Sequence, residues 1–100
     1  MAKHNQYRVI VEQISEDNQA IKTLSFEYED REDLFKTIEV IGDHSGIDKD
    51  QAPRLTLALR LLGPMMMAER KHELFKDFMP HFKTFMQNLK SKVKSAKPAS

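Results

Sequence analysis

One hundred residues, 40% of them apolar and 31% charged, with no cysteine, describe one globular domain in a reducing compartment. They exclude disulfides, thiolate nucleophiles and cysteine-based zinc sites. No apolar run approaches a membrane span and MAKHNQYR carries no apolar signal core, so a cytoplasmic protein without membrane contact is expected. The formal net charge of +1 conceals an asymmetry: residues 1–50 hold 12 acidic and 6 basic side chains, a balance of −6, and residues 51–100 hold 3 and 10, a balance of +7. Such a division suits two halves that attract each other, within a fold or across a dimer, or else a basic surface for an anionic partner. The basic residues are spread through candidate helices, which favours the first reading.

Tyr7 to Ile14, YRVIVEQI, is rich in β-branched and aromatic residues and reads as a strand. Tyr7, Val9 and Val11 share one face, while Ile10 and Ile14 make the other partly apolar. SEDNQA (15–20) is turn-like, and Ile21 to Glu29 alternates, with Leu24, Phe26 and Tyr28 opposite Thr23, Ser25, Glu27 and Glu29. The two make an antiparallel hairpin with a dry side and a wet side. Two strands alone are marginal in water, so the hairpin must lie on helices, pair with a second copy, or do both.

Asp30 is placed to cap a helix whose first turn holds Glu32 and Asp33. Leu34, Phe35, Ile38 and Ile41 give that helix one apolar stripe, and Gly46 suits its C-terminal stop. From Asp50 to Arg70 the pattern is ambiguous. Leu55, Leu57, Leu59 and Leu61 alternate as in a strand, yet Leu and Ala are strong helix formers, and Asp48 or Asp50 offers a cap. Helix is the reading preferred here. It is apolar on two sides, with Leu55, Ala58, Leu59 and Leu62 on one and Leu57 and Leu61 on the other, which calls for cover from more than one direction.

Pro64 has no N–H for the carbonyl of Arg60, so a kink or restart is expected there. Met65, Met66 and Met67 fan out over about 200° of a helix, and one stripe cannot absorb all three. They are candidate interface residues, although core packing is the commoner use of methionine. The last helical region runs from Glu73 to about Val93: a short turn, then a new helix opened by Pro80, whose Phe75, Phe78, Phe82, Phe85 and Leu89 pack on the central helix. Residues 94–100 read as a flexible basic tail after a single domain over 1–93.

The residue order resembles a small bacterial family of unknown function, about 90–100 residues long. The segments that carry the likeness are Tyr7-Arg8 with Val11-Glu12, Leu24-Ser25-Phe26-Glu27, and Asp48 and Asp50 opening the Ala/Leu-rich stretch. Gly63, Arg70-Lys71-His72 with Leu74-Phe75, and Phe85-Met86 with Leu89-Lys90 continue it. The resemblance spans most of residues 6–90, favours helix for the central stretch and implies no activity. Pro64 departs from the family's pattern.

The chain offers few residues in chemically suggestive patterns. Gly42, Gly46 and Gly63 are isolated, which excludes Gly-rich phosphate loops, and no serine has a nucleophile-elbow context. No two histidines are spaced i, i+4, and DHSGIDKD lacks the glycine and final Glu of a calcium loop. No catalytic residue, cofactor or metal is therefore expected. Arg70, Lys71, His72 and Lys76 are candidate contacts for an anion or partner, against the plainer reading that cations near a helix C-terminus serve the macrodipole. The tail lysines Lys90, Lys92, Lys94 and Lys97 could touch phosphates. An enzyme would need His72 or His81 beside Glu69, Glu73 or Asp77.

The expectation is therefore an α+β fold, an N-terminal antiparallel β-hairpin followed by three to four helices packed on it. It would serve as a non-enzymatic module that forms a homodimer or binds another protein. The alternative is a nucleic-acid-binding accessory protein using the basic C-terminal half.

Overall fold

A computed structural model describes residues 4–96, with side chains as far as Lys94. The architecture is α+β: an antiparallel hairpin of β1 (Asn5–Ile14) and β2 (Ala20–Asp30) followed by α1 (Leu34–His44), α2 (Ala52–Ala68), α3 (Glu73–Lys76) and α4 (Met79–Ala96). The chain groups into two compact units that divide between Asp33 and Leu34.

In the first unit, the register sets Tyr7 opposite Tyr28, Val9 opposite Phe26 and Val11 opposite Leu24, so the expected apolar face assembles on one side. The two Tyr rings lie 5.5 Å apart. Arg8 faces Glu27 on the other side and its Nη2 donates to Glu27 Oε2 at 3.0 Å, an exposed pair worth about 0–1 kcal/mol. The turn is closed by Ser15 N donating to Gln19 O at 2.8 Å, with Asn18 at a φ of 64°, a conformation Asn tolerates better than most residues. A bulge at Gln13/Ile14 disturbs the register beside that turn.

Asp30 ends β2 and does not cap a helix. Its Oδ1 accepts from Glu32 N at 3.0 Å in a local turn, and α1 begins only at Leu34, so Glu32 and Asp33 precede its first turn. An aspartate bonding two residues onward competes with helix initiation at its own position.

In the second unit, Leu34 and Ile41 are buried and Ile38 is half-buried, but Phe35 is 68% exposed and leaves the expected stripe. It sits about 100° round the helix from Leu34, off the 34/38/41 line. Gly46, with a φ of +86°, ends this segment as expected, after Ser45 N donates to Ile41 O at 3.0 Å.

The central stretch is a helix. α2 runs from Ala52 to Ala68 through Pro64, with Pro53 in its first turn, where a missing N–H costs nothing. Its N-cap is Gln51, without a side-chain cap bond. Asp48, an expected cap, instead accepts from Asp50 N at 3.0 Å, and Asp50 lends its main-chain oxygen to Arg54 Nη1 at 3.1 Å.

The most buried residues of α2 are Ala52, Thr56 and Met66, while the leucines beside them are half-buried and Ala58 is exposed. Small residues let α2 approach its neighbours: a methyl at Gly42 of α1 would stand 3.4 Å from Ala52 Cβ, and one at Gly63 would stand 3.8 Å from Phe82 Cζ of α4. α3 is one short turn and α4 opens with Pro80 as its second residue, as the pattern predicts. α4 continues three residues beyond Val93, to Ala96, and the rest of the expected tail lies outside the described residues.

Thr56 carries the sharpest local conflict. It has no exposed surface, and its hydroxyl has no hydrogen-bond partner among the described residues. Because a buried hydroxyl left unpaired costs about 1–3 kcal/mol, Thr56→Val is expected to stabilise the protein by about 1 kcal/mol in urea denaturation. A destabilised variant would mean that the hydroxyl is bonded.

Candidate interaction sites

Helical geometry separates the methionine triplet. Met66 is 0% exposed and belongs to the core of the helical unit, so it offers no surface to a partner and leaves the candidate interface. Met65 and Met67, about 100° to either side, are exposed. Only these two retain the surface that the interface reading needs.

The basic group is placed by the turn after α2. Arg70 and Lys71 are exposed in the segment between α2 and α3, and Lys76 ends α3. Arg70, Lys71 and Lys76 line one shallow concavity of about 600 Å³ with Met79, Pro80 and Lys83. Lys83 was not among the sequence candidates; it joins them because Pro80 restarts the helix and turns the first exposed face of α4 toward α3. None of these four cations has a hydrogen-bond or ion-pair partner among the described residues.

His72 does not join that concavity. It is the N-cap of α3, its Nδ1 accepting from Leu74 N at 3.1 Å, and its ring lies 6.1 Å from that of Phe75. It lines instead a second hollow of about 490 Å³ with Met67, Glu69, Arg70 and Lys71, so Arg70, Lys71 and His72 do meet there while Lys76 stays outside it. A capping imidazole has its Nδ1 lone pair already occupied. The other histidine considered for catalysis, His81, is exposed on α4.

The hairpin carries an exposed apolar surface of its own. Val11, Leu24 and Phe26, cross-strand neighbours or near-neighbours on one face, are 53%, 61% and 41% exposed. The face that alternation marks as the dry side is open over these three residues. Ile10 and Ile14 are exposed on the other face.

Residues 5–91 match the family described as a domain of unknown function with a solved structure, DUF3861. The chain belongs to this family. It is also similar to a protein of unknown function from Pectobacterium atrosepticum SCRI1043, whose crystal structure superposes with a TM-score of 0.74 at 39% identity. That match covers 87% of this chain and 97% of the other. No curated protein matches.

The DUF3861 match accords with the resemblance read from the residues, and it brings no catalytic or binding assignment to any position. In this DUF3861 chain the acidic DHSGIDKD segment is used structurally. Asp43 Oδ1 lies 3.4 Å from Lys49 Nζ, and Asp48 holds the backbone of Asp50. Among the described residues no group of three or more His, Asp or Glu side chains could hold a metal ion, and no helix is long and apolar enough to cross a membrane.

Proposed function

We propose that this protein is a non-enzymatic module that self-associates, with the Tyr7/Val9/Val11–Leu24/Phe26/Tyr28 face of the hairpin as the contact between two copies. One observation carries the reading: Val11, Leu24 and Phe26 stay exposed on a sheet of only two strands. A two-stranded sheet needs a covered apolar face or further strands to be stable, and a second copy packed on that face supplies the cover. A two-fold axis lets the same patch serve on both chains, and the exposed aromatic and β-branched side chains are of the kind that fills interface centres. Glu27 and Glu29, on β2, bias the contact toward the apolar face and away from open-ended strand addition.

Size-exclusion chromatography with multi-angle light scattering, at low and high salt, tests this. Twice the 11.7 kDa chain mass at both salt concentrations is the expected result, because an apolar contact is not screened. A monomer throughout the micromolar range overturns the reading.

A second reading, a nucleic-acid accessory role, is favoured by the concavity of Arg70, Lys71, Lys76 and Lys83. Each phosphate neutralised there would steepen the salt dependence of duplex binding by about 0.9 in log–log slope. Changing all four to Gln should therefore flatten the slope by about 3–4 in a mobility-shift titration. The absence of any shift at low salt removes this reading.

A further inference from the structure

Positive charge is gathered without cancellation in the concavity between the end of α2 and the start of α4. Arg70, Lys71, Lys76 and Lys83 line it, are all exposed, and have no ion-pair or hydrogen-bond partner among the described residues. Glu73 and Asp77 belong to the same stretch but do not line it, and Glu69 lines the neighbouring hollow instead. A concavity walled by one sign of charge focuses its field and draws in counter-ions. The helix macrodipole accounts for only part of the arrangement. It favours Lys76 at the end of α3 and Arg70 and Lys71 just beyond α2, but Lys83 lies one turn into α4, near the positive end.

We propose that this concavity binds a linear chain of three linked phosphates, recognised through its charge alone. A single phosphate carries a charge of about −2 and leaves half of the four cations uncompensated, whereas a triphosphate matches them in one compact ligand. Arg70 supplies a planar fork that fits two oxygens of one phosphate, and the lysines act as point charges that adapt to the rest of the chain. The remaining wall is Met79 and Pro80. Neither is an aromatic ring on which a base could stack, and neither carries an amide or carboxylate to read a base or sugar. A triphosphate carried by a nucleoside therefore gains nothing over a free one. Duplex DNA presents the same charge, but strongly salt-dependent duplex binding rests on roughly 6–10 phosphate contacts, more than four cations in one concavity provide.

The test is titration of the ¹⁵N-labelled full chain, in magnesium-free buffer at fixed ionic strength, with tripolyphosphate, ATP, orthophosphate and a short DNA duplex. Saturable tripolyphosphate shifts centred on the residues that line the concavity are expected. ATP should bind within about threefold of tripolyphosphate, and orthophosphate at least about tenfold more weakly. An Arg70→Gln/Lys76→Gln/Lys83→Gln variant should lose about tenfold or more, since each exposed contact contributes a factor of roughly two to five. All three side chains are exposed, so their replacement leaves the core intact. Lys90→Gln/Lys92→Gln removes two charges of α4 that lie outside the concavity and should change the affinity by less than about twofold.

The proposal fails if tripolyphosphate does not saturate, if orthophosphate binds as well, or if the triple variant binds unchanged. It fails too if the Lys90/Lys92 variant loses as much as the triple one, since the attraction would then be diffuse. ATP bound about tenfold more tightly than tripolyphosphate would make the nucleoside the recognised group, and a duplex bound more tightly per phosphate would return the concavity to the nucleic-acid reading. Either result overturns the proposal. The concavity lies within the helical unit, so a chain made monomeric by changes on the hairpin should bind tripolyphosphate like the parent. Self-association and triphosphate binding can therefore fail separately.

Discussion

Met66→Ala is expected to cost about 2–5 kcal/mol of folding stability, a large share of the roughly 5–15 kcal/mol available to a domain of this size. Met66 has no exposed surface and lies one helical repeat along from Leu59, on the side of α2 that also buries Thr56 and Ala52. Truncation there removes three heavy atoms from a packed interior and leaves a void that helices tied at Gly42/Ala52 and Gly63/Phe82 cannot fully close. Met65→Ala and Met67→Ala provide the comparison. Both residues are about half exposed, so each should cost within about 1 kcal/mol. Urea midpoints of the three variants measure the contrast directly. Three equal losses would mean that the triplet is buried together, by a partner or by a second copy.

The second large effect is on assembly. A Val11→Thr/Leu24→Thr double variant is expected to weaken self-association by about 100- to 1000-fold, shifting the light-scattering mass toward 11.7 kDa. The two positions face each other across the strands, and a two-fold dimer would contain each of them twice. Each replacement removes apolar contact worth about 1 kcal/mol, so four of them supply the shift. Threonine is chosen because it keeps the strand preference of a β-branched residue, so the hairpin itself survives, as far-ultraviolet circular dichroism would verify. Ile10→Thr, on the opposite face, should leave the mass unchanged. A dimer that persists in the double variant moves the contact off the Val11/Leu24 face.

The same chain shows which kinds of information are local. Alternation in TLSFEYE and in YRVIVEQ is enough to put Leu24, Phe26 and Tyr28 on one face and Tyr7, Val9 and Val11 on one face, because side chains two residues apart must share a face; which residue stands opposite which is set by the turn and the Gln13/Ile14 bulge. Propensity favours helix over strand for the leucine stretch, although both periods fit residues 54–62, and the structure has the helix. Of the kink or restart that Pro64 predicts, the restart does not occur: α2 continues through it. A missing N–H is a local cost that packing on both sides of α2 outweighs. Asp30 and Asp48 show the converse, since each prefers a two-residue turn of its own to the cap assigned to it.

Sequence by itself determined the order of the elements, the apolar faces of the hairpin strands and the restart at Pro80, since periodicity and turn chemistry act over a few residues. Tertiary structure alone decided which methionine is core and which line of α2 is most buried. It also brought Lys83 to Arg70 and Lys76, and left Thr56 at the wall of a hollow between α1, α2 and α4. The physical reason is range. A side chain's direction on its own helix follows from 3.6 residues per turn, but burial depends on what stands opposite, and that is set by contacts between different helices. Thr56 marks the limit most clearly: a hydroxyl among leucines gives no signal in the sequence, and becomes informative only once its surroundings leave it without a partner.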